Sequence, residues 1–364
     1  MILFIYGTTA EVIKLAPVIR RVHRRGSDCM SICTGQHVGD ISQLVEQFEL
    51  PAPDIWLATG HGGQNLRRNI EIPGWLLKVG GGFLSSYREI KAKRGKKEQV
   101  LTIVHGDTFT TLLGALMGLG LRTIVGHVEA GVRSFDWRNP FPEELIRRST
   151  SRLARIHFAP GDIAVRNLAR SRGAVINTVF NTVKDSLDLI EADVVPVVSL
   201  PSRFGIVSLH RFELINDRKR LLDILSLLGR YSESTPLLFV DHSITAAKIE
   251  QFGLDGFFNE ETFIRMPKLR YFEFVSLLKR SEFSVTDSGG VQQESFYLNH
   301  PCLVHREKVE TFDGVGANVV VSGMDLEIVK DFLADPRRFK VEDLTLEASP
   351  SDLIVEHLER EGYI

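Results

Sequence analysis

Apolar runs of strand length, each followed by an amphipathic stretch of helix length, recur along this chain and constrain its fold more than any other feature. The first series covers residues 2–6, 30–34, 100–105, 122–127 and 156–159. A second begins near Gly205 with GIVSLH and continues through PLLFVDH, EFSVTDSGG and PCLVH. This alternation predicts an α/β chain with two parallel sheets, because parallel strands need helical crossovers that cover both faces. At 364 residues the chain exceeds what one hydrophobic core usually serves, so two domains are expected. The predicted division is 1–187 and 188–348, with the Val- and Pro-rich segment 188–203 as the connection. A last helix is predicted over 349–362, capped by Ser351 or Asp352, with Leu353, Ile354, His357 and Leu358 on one face.

Acids and bases nearly balance, giving a net charge of −2. Nothing in the bulk charge therefore favours nucleic acid, an anionic membrane surface or a polycationic partner. The short basic run KAKRGKK, beginning at Lys91, follows a helix-like stretch, where cations complement a helix C-terminus. The glycines of KVGGGF follow no clear strand and are expected in a flexible surface loop. No apolar run is long enough to span a bilayer, and Glu11 and Lys14 follow the opening MILFIYG too soon for a secretory signal. A cytoplasmic protein is expected. Cys29, Cys33 and Cys302 form no CxxC pair, which suits a reducing compartment and suggests neither a zinc site nor a catalytic thiol.

Three acids stand where strands are expected to end: Asp107 in HGDTFTT, Glu129 in HVEAGVR and Glu143 in FPEELIRR. In parallel α/β sheets the ligand crevice lies outside the carboxyl ends of the strands, so such charges are poised over a ligand. Each alone could be a helix cap or a surface acid. Three in one short span favour chemistry.

Candidate anion sites lie at strand-to-helix junctions. In FIYGTTAEVIKLAP, Gly7 permits a tight turn, Thr8 can cap, the amides around Glu11 would face an anion, and Lys14 lies one turn on. In FSVTDSGGVQQESF, Ser288, Gly289 and Gly290 can close around a diphosphate at a helix N-terminus. Glu294 suits vicinal ribose hydroxyls, since a carboxylate offers two acceptor oxygens and no donor. In VSLHRFELI, His210 and Arg211 end a strand and can bind a diphosphate and lend it a proton as it departs. His242 in FVDHS and His305 in LVHRE occupy similar positions, which suggests a cationic rim. Neither GxGxxG nor GxxxxGK[ST] occurs at the first junction, and none of these histidines has HExxH spacing. No metal and no cofactor are expected.

Taken in order, GTTAEVIKLAPV, TGQHVGDI, HGDTFTT, GHVEAGVRS, PFPEELIRR, FAP, FNTVKDSL, SLHR and TDSGGVQQE make the chain resemble bacterial UDP-N-acetylglucosamine 2-epimerases over nearly its whole length. The resemblance implies a glycosyltransferase-B-like architecture of two Rossmann-like domains facing a cleft. It also implies a C-terminal helix, 349–364, returning to the first domain, and a homodimer. By the same resemblance Asp107, Glu129 and Glu143 serve the sugar chemistry with Arg147 and His210 nearby, while Lys14, Ser288, Gly289 and Glu294 hold UDP. Asn181, in the NTV motif between the domains, is not expected to be catalytic.

The implied reaction interconverts UDP-N-acetylglucosamine and UDP-N-acetylmannosamine. UDP is eliminated across C1–C2 to a 2-acetamidoglucal and returns while a proton reaches the other face of C2. Two faces require at least two proton-handling groups, and burial is expected to move the carboxylates toward neutrality. Departures from the family pattern are GTTAE for GTRPE, HRFEL for HRREN and ETFDG for ERPEG, which put Thr9 and Thr311 in place of arginines. Gly39 replaces a larger polar residue found in members with a regulatory nucleotide-sugar site. The alternatives are a hydrolysing variant that releases UDP and N-acetylmannosamine, a modified UDP-HexNAc substrate, and, in another class, a UDP-sugar glycosyltransferase. The several acids argue against the last, which needs a single base.

Overall fold

The run ILFIY is buried at all five positions and forms β1 (Ile2–Tyr6), as a central parallel strand covered on both faces should. Five further strands of the computed structural model's first sheet cross over through helices in the same sense. They are β2 (Cys29–Cys33), β3 (Ile55–Trp56), β4 (Leu101–His105), β5 (Ile124–Val128) and β6 (Ile156–Ala159), with β7 (Ala174–Asn177) closing the edge. The order is β3-β2-β1-β4-β5-β6-β7, and every pairing is parallel. The structure describes residues 1–59, 71–94, 99–135, 142–191, 200–309, 311–342 and 344–364.

The chain divides into two compact units, Met1–Leu189 with Glu347–Ile364, and Ile190–Leu346. Half of the connection expected at 188–203, residues 192–199, lies outside the described residues. Helices of the first unit are α1 (Thr9–Arg24), α2 (Val38–Gln47), α3 (Ile72–Arg94), α4 (Phe109–Gly120), α5 (Glu143–Leu153), α6 (Gly161–Asn167) and α7 (Val183–Asp188).

The second unit repeats the plan with β8 (Gly205–Ser208), β9 (Leu237–Val240), β10 (Phe263–Met266), β11 (Ser284–Thr286), β12 (Cys302–Val304) and β13 (Val319–Val321), all parallel, in the order β10-β9-β8-β11-β12-β13. Its helices are α8 (Phe212–Ile215), α9 (Arg218–Ser232), α10 (Ser243–Phe252), α11 (Tyr271–Arg280), α12 (Gly289–Tyr297) and α13 (Leu326–Ala334). The expected α/β class, with two doubly wound Rossmann-like units, is the one found. In each sheet the strand order reverses once, between β1 and β4 and between β8 and β11. Ligands of open α/β sheets bind at such switch points.

The glycines of KVGGGF correct the sequence reading: Gly80, Gly81 and Gly82 lie inside α3, not in a surface loop. Trp75, Val79 and Ile90 bury the inner face of that helix. At Gly82 an added Cβ would stand 2.0 Å from the Leu57 carbonyl oxygen, so the glycine permits close approach of helix and chain.

The last helix, α14 (Pro350–Arg360), is capped by Ser349, which accepts from the N–H of Asp352. Neither Ser351 nor Asp352 is the cap. Pro350 at the first helical position suits this start. The Asp185 carboxylate accepts from Ser349 Oγ at 3.0 Å and from the Ser351 N–H at 2.7 Å, which fixes the helix to α7. Arg21 of α1 adds an ion pair to Asp352 at 2.6 Å. Ile354, Val355 and Leu358 are fully buried.

A proline inside α1 explains another lock. Pro17 lacks the N–H that would bond the carbonyl of Ile13. That carbonyl accepts from Ser186 Oγ of α7 at 2.6 Å instead, and this steadies the turn that carries Lys14.

Candidate active site

At the switch point of the first unit, the loops after β1 and β4 are joined by one buried carboxylate. Glu11 Oε2 accepts from the N–H groups of Gly7 at 2.7 Å and Thr8 at 2.9 Å. Its Oε1 accepts from Thr108 Oγ1 at 2.6 Å. Burial pushes Glu11 up from the ordinary carboxylate value, against Thr108 and the backbone donors, which pull it down. Thr8 is buried and closes the capping box with Glu11. The Thr9 N–H goes to His37 Nδ1 at 3.3 Å. The α1 amides expected to face an anion are thus largely taken by the protein's own side chains. Gly7 is needed for space: a Cβ there would lie 1.8 Å from Thr34 Oγ1.

Four site residues meet just beyond. Lys14 Nζ lies 2.5 Å from Glu129 Oε2, with both side chains largely buried. The same oxygen accepts from Asn181 Nδ2, and His105 Nε2 stands 3.4 Å from it. Asn181 therefore belongs to the candidate site, which its motif did not reveal. Burial alone would raise Glu129, but Lys14 and then His105 outweigh it and hold the carboxyl well below the ordinary range. This reverses the expectation that burial brings it toward neutrality. Glu129 also holds the left-handed conformation, with φ of 63°. In a non-glycine residue that costs roughly 1–3 kcal/mol and persists where surrounding contacts over-determine it.

Asp107, two residues past β4, pairs with Arg147 of α5. Burial would depress the Arg147 guanidinium, yet Asp107 and then Glu129 raise it above its ordinary value. Gly106, between His105 and Asp107, has φ of 72°. Its carbonyl accepts from His127 Nε2 at 2.7 Å, so that ring nitrogen carries the proton. Burial pushes His127 down to about 3.

Glu143 does not end a strand. It is half-buried and opens α5, four residues before Arg147 and so on the same helix face. Its neighbour Glu144 is fully buried and anchors structure: it pairs with Arg148 at 2.7 Å and accepts from the Ser134 N–H at 3.1 Å. Its ion-pair partner lies one turn on in the same helix and its loop partner ten residues earlier, and the FPEE motif alone does not separate the two acids.

The second unit's switch point is an anion site of another kind. Ser288 is the N-cap of α12 but makes no side-chain cap bond. Among the described residues, the N–H groups of Gly289, Gly290 and Val291 have no protein acceptor. Bare N–H groups and the positive end of the helix dipole both favour an anion here. Beside it His210 and Arg211 leave the end of β8. The His210 ring packs on His242, with centroids 4.2 Å apart and planes tilted by 36°. His242 Nε2 is 3.2 Å from Ser208 Oγ.

Burial, then neighbouring positive charge, pushes His210 down to about 4. His242 is likewise held at about 4 by burial and by His210. Burial takes His305 to about 4 as well, where Nδ1 stands 2.8 Å from Ser322 Oγ. The expected cationic rim is therefore neutral near pH 7, and Arg211 supplies the fixed charge. Glu294 is buried in α12, and the Tyr271 phenol is pushed far up by burial and then by this carboxylate beside it. The Thr311 methyl carbon would stand 4.0 Å from a Cβ at Gly289, and Thr311 Oγ1 donates to Asp313 at 2.6 Å.

Fold and site define a nucleotide-sugar enzyme class built on two Rossmann-like units. Residues 20–335 match the family model for UDP-N-acetylglucosamine 2-epimerase. The chain is 34% identical to the UDP-N-acetylglucosamine 2-epimerase of Methanocaldococcus jannaschii, over 90% of this chain and 89% of the relative. It is 32% identical to the UDP-2,3-diacetamido-2,3-dideoxy-D-glucuronate 2-epimerase of Pseudomonas aeruginosa, over 88% of each. A crystal structure of the Methanocaldococcus jannaschii enzyme in complex with UDP-GlcNAc and UDP superposes with a TM-score of 0.75 at 29% identity, covering 99% of each chain. The chain belongs to the UDP-N-acetylglucosamine 2-epimerase family.

Proposed function

We propose that this protein inverts C2 of UDP-N-acetylglucosamine to give UDP-N-acetylmannosamine, and the reverse, without hydrolysis. One observation carries the assignment. Two ion pairs, Lys14 with Glu129 and Asp107 with Arg147, stand at the ends of the neighbouring strands β4 and β5. Such a pair of pairs can hold charge beside a reacting sugar. In the forward direction a base takes the C2 proton as the C1–O bond breaks, its electron pair leaving with UDP and a C1=C2 bond forming. On return, a UDP oxygen attacks C1 and an acid delivers a proton to the opposite face of C2. Glu129, held ionised, is an electrostatic partner or a base. Proton delivery falls to Asp107 or Glu143. The open N-terminus of α12, with Ser288, Gly289, Gly290 and Arg211, takes the diphosphate, and Glu294 the ribose.

The relative acting on a diacetamido glucuronate favours a second reading, in which the substrate is a modified UDP-HexNAc. We further propose a homodimer. The exposed apolar side chains Leu77 and Leu84 of α3 and Leu116 and Leu119 of α4 give it a surface, and sedimentation checks it. Cytoplasmic placement suits the free thiols of Cys33 and Cys302. Among the described residues no helix is long and apolar enough to cross a membrane.

Proton NMR of UDP-N-acetylglucosamine incubated with the protein tests the function. A nucleotide-bound manno anomeric signal is expected. Free N-acetylmannosamine with UDP would instead establish the hydrolysing variant, and an inert substrate would direct the search to modified sugars or to an acceptor.

A further inference from the structure

Asp287 is fully buried at the end of β11, immediately before the N-cap of α12. It lies one position before the cap, and its hydrogen bonds do not go to α12. They go to the loop after the adjacent strand β8. The His210 N–H donates to Oδ1 at 3.0 Å and to Oδ2 at 2.9 Å, and the Arg211 N–H donates to Oδ2 at 2.8 Å. The side chain of His210 lies near the same group, with Nδ1 3.5 Å from Oδ1, buried and without a hydrogen bond among the described residues. On its other face the ring meets His242, and Arg211 and Arg306 are the cations that act on it.

We propose that Asp287 is a positioning residue for His210. It fixes the backbone at the end of β8 and selects the imidazole tautomer with the proton on Nδ1, which leaves the Nε2 lone pair free to accept. Second partners of this kind set the tautomer of functional histidines generally, and bonds that are long in the free protein tighten in the complex. A ring so held takes up a proton from solvent hydronium, which leaves as water, at Nε2 as an anion arrives, and its positive charge then lies between the Asp287 carboxylate and the ligand. The inference depends on the proposed function only for the identity of that anion.

The test is the imidazole spectrum of the full-length protein carrying 15N-histidine, read through two-bond proton–nitrogen couplings, with His210 assigned by its loss in His210→Gln. The wild type is expected to show the Nδ1–H tautomer for His210. Asp287→Asn should abolish that preference, leave the histidine signals other than that of neighbouring His242 in place and weaken UDP binding about tenfold. An Nε2–H tautomer in the wild type overturns the proposal. So does an unchanged His210 tautomer in folded Asp287→Asn. If that variant does not fold, the wild-type tautomer decides alone. A wild type that fails to turn over UDP-N-acetylglucosamine faults the proposed function and leaves this result standing.

Discussion

The Lys14 ammonium donates to Glu129 Oε2 across 2.5 Å although 115 residues separate the two in sequence. Each is the other's main counter-charge in a largely buried setting, so removing one leaves the other uncompensated. Breaking a buried pair costs about 3–5 kcal/mol. Glu129→Gln and Lys14→Met should each lose about 3 kcal/mol in urea unfolding, and the double variant should lose less than the sum. Strict additivity would show that the pair does not couple.

Asp107 is held by Arg147 and sits where a proton-handling group belongs. Loss of a general acid or base typically costs about 10²–10⁴ in rate. Asp107→Asn should therefore lower turnover at least 100-fold, while the affinity for UDP-N-acetylglucosamine measured by calorimetry changes by about threefold or less. A large loss of affinity with near-normal turnover would place Asp107 in binding instead.

Acid should destabilise the fold through its buried histidines. His127, His300 and His305 are all buried, with values pushed down to about 3, about 4 and about 4. Below an unfolded value of about 6.5 the unfolded chain binds protons that the folded one refuses, so stability falls with falling pH. Each group contributes up to about 1.4 kcal/mol per pH unit between pH 6.5 and its folded value. Glu129 acts lower: its stabilisation is present above the unfolded value near 4.3 and is lost as pH falls through its depressed one. Calorimetry at pH 5 should give a Tm at least about 5 °C below that at pH 7.5, and equal values would contradict the assignment.

The central strands were legible because parallel burial writes them as unbroken apolar runs. The expected β1 and β6 match the structure residue for residue. Edge strands were not: β3 has only two residues, and β7, AVIN, is half-exposed with no run to read. Asp107 and Glu129 were legible from their place after strands. Asn181, His105 and Asp287 were not, since each matters through a partner on another strand or helix. The direction of the Glu129 shift was hidden for the same reason, because it depends on a lysine from the first helix.

The last helix should be part of the first unit's core. Fully burying Ile354, Val355 and Leu358 is worth roughly 1.5–3 kcal/mol each, and Asp185 and Arg21 fix the helix start. Deleting residues 349–364 should abolish cooperative unfolding of that unit, while Ser349→Ala, which removes both the cap and the hydrogen bond to the buried Asp185 carboxylate, should cost about 2 kcal/mol. A truncated chain with an unchanged melting profile would contradict this packing.

The most direct test follows solvent hydrogen into the sugar. Wild-type protein is incubated with UDP-N-acetylglucosamine in deuterated water, and C2 is observed by NMR in both nucleotide sugars. Elimination and re-addition predicts UDP-N-acetylmannosamine carrying deuterium at C2. A manno product that keeps its original C2 hydrogen would contradict the account.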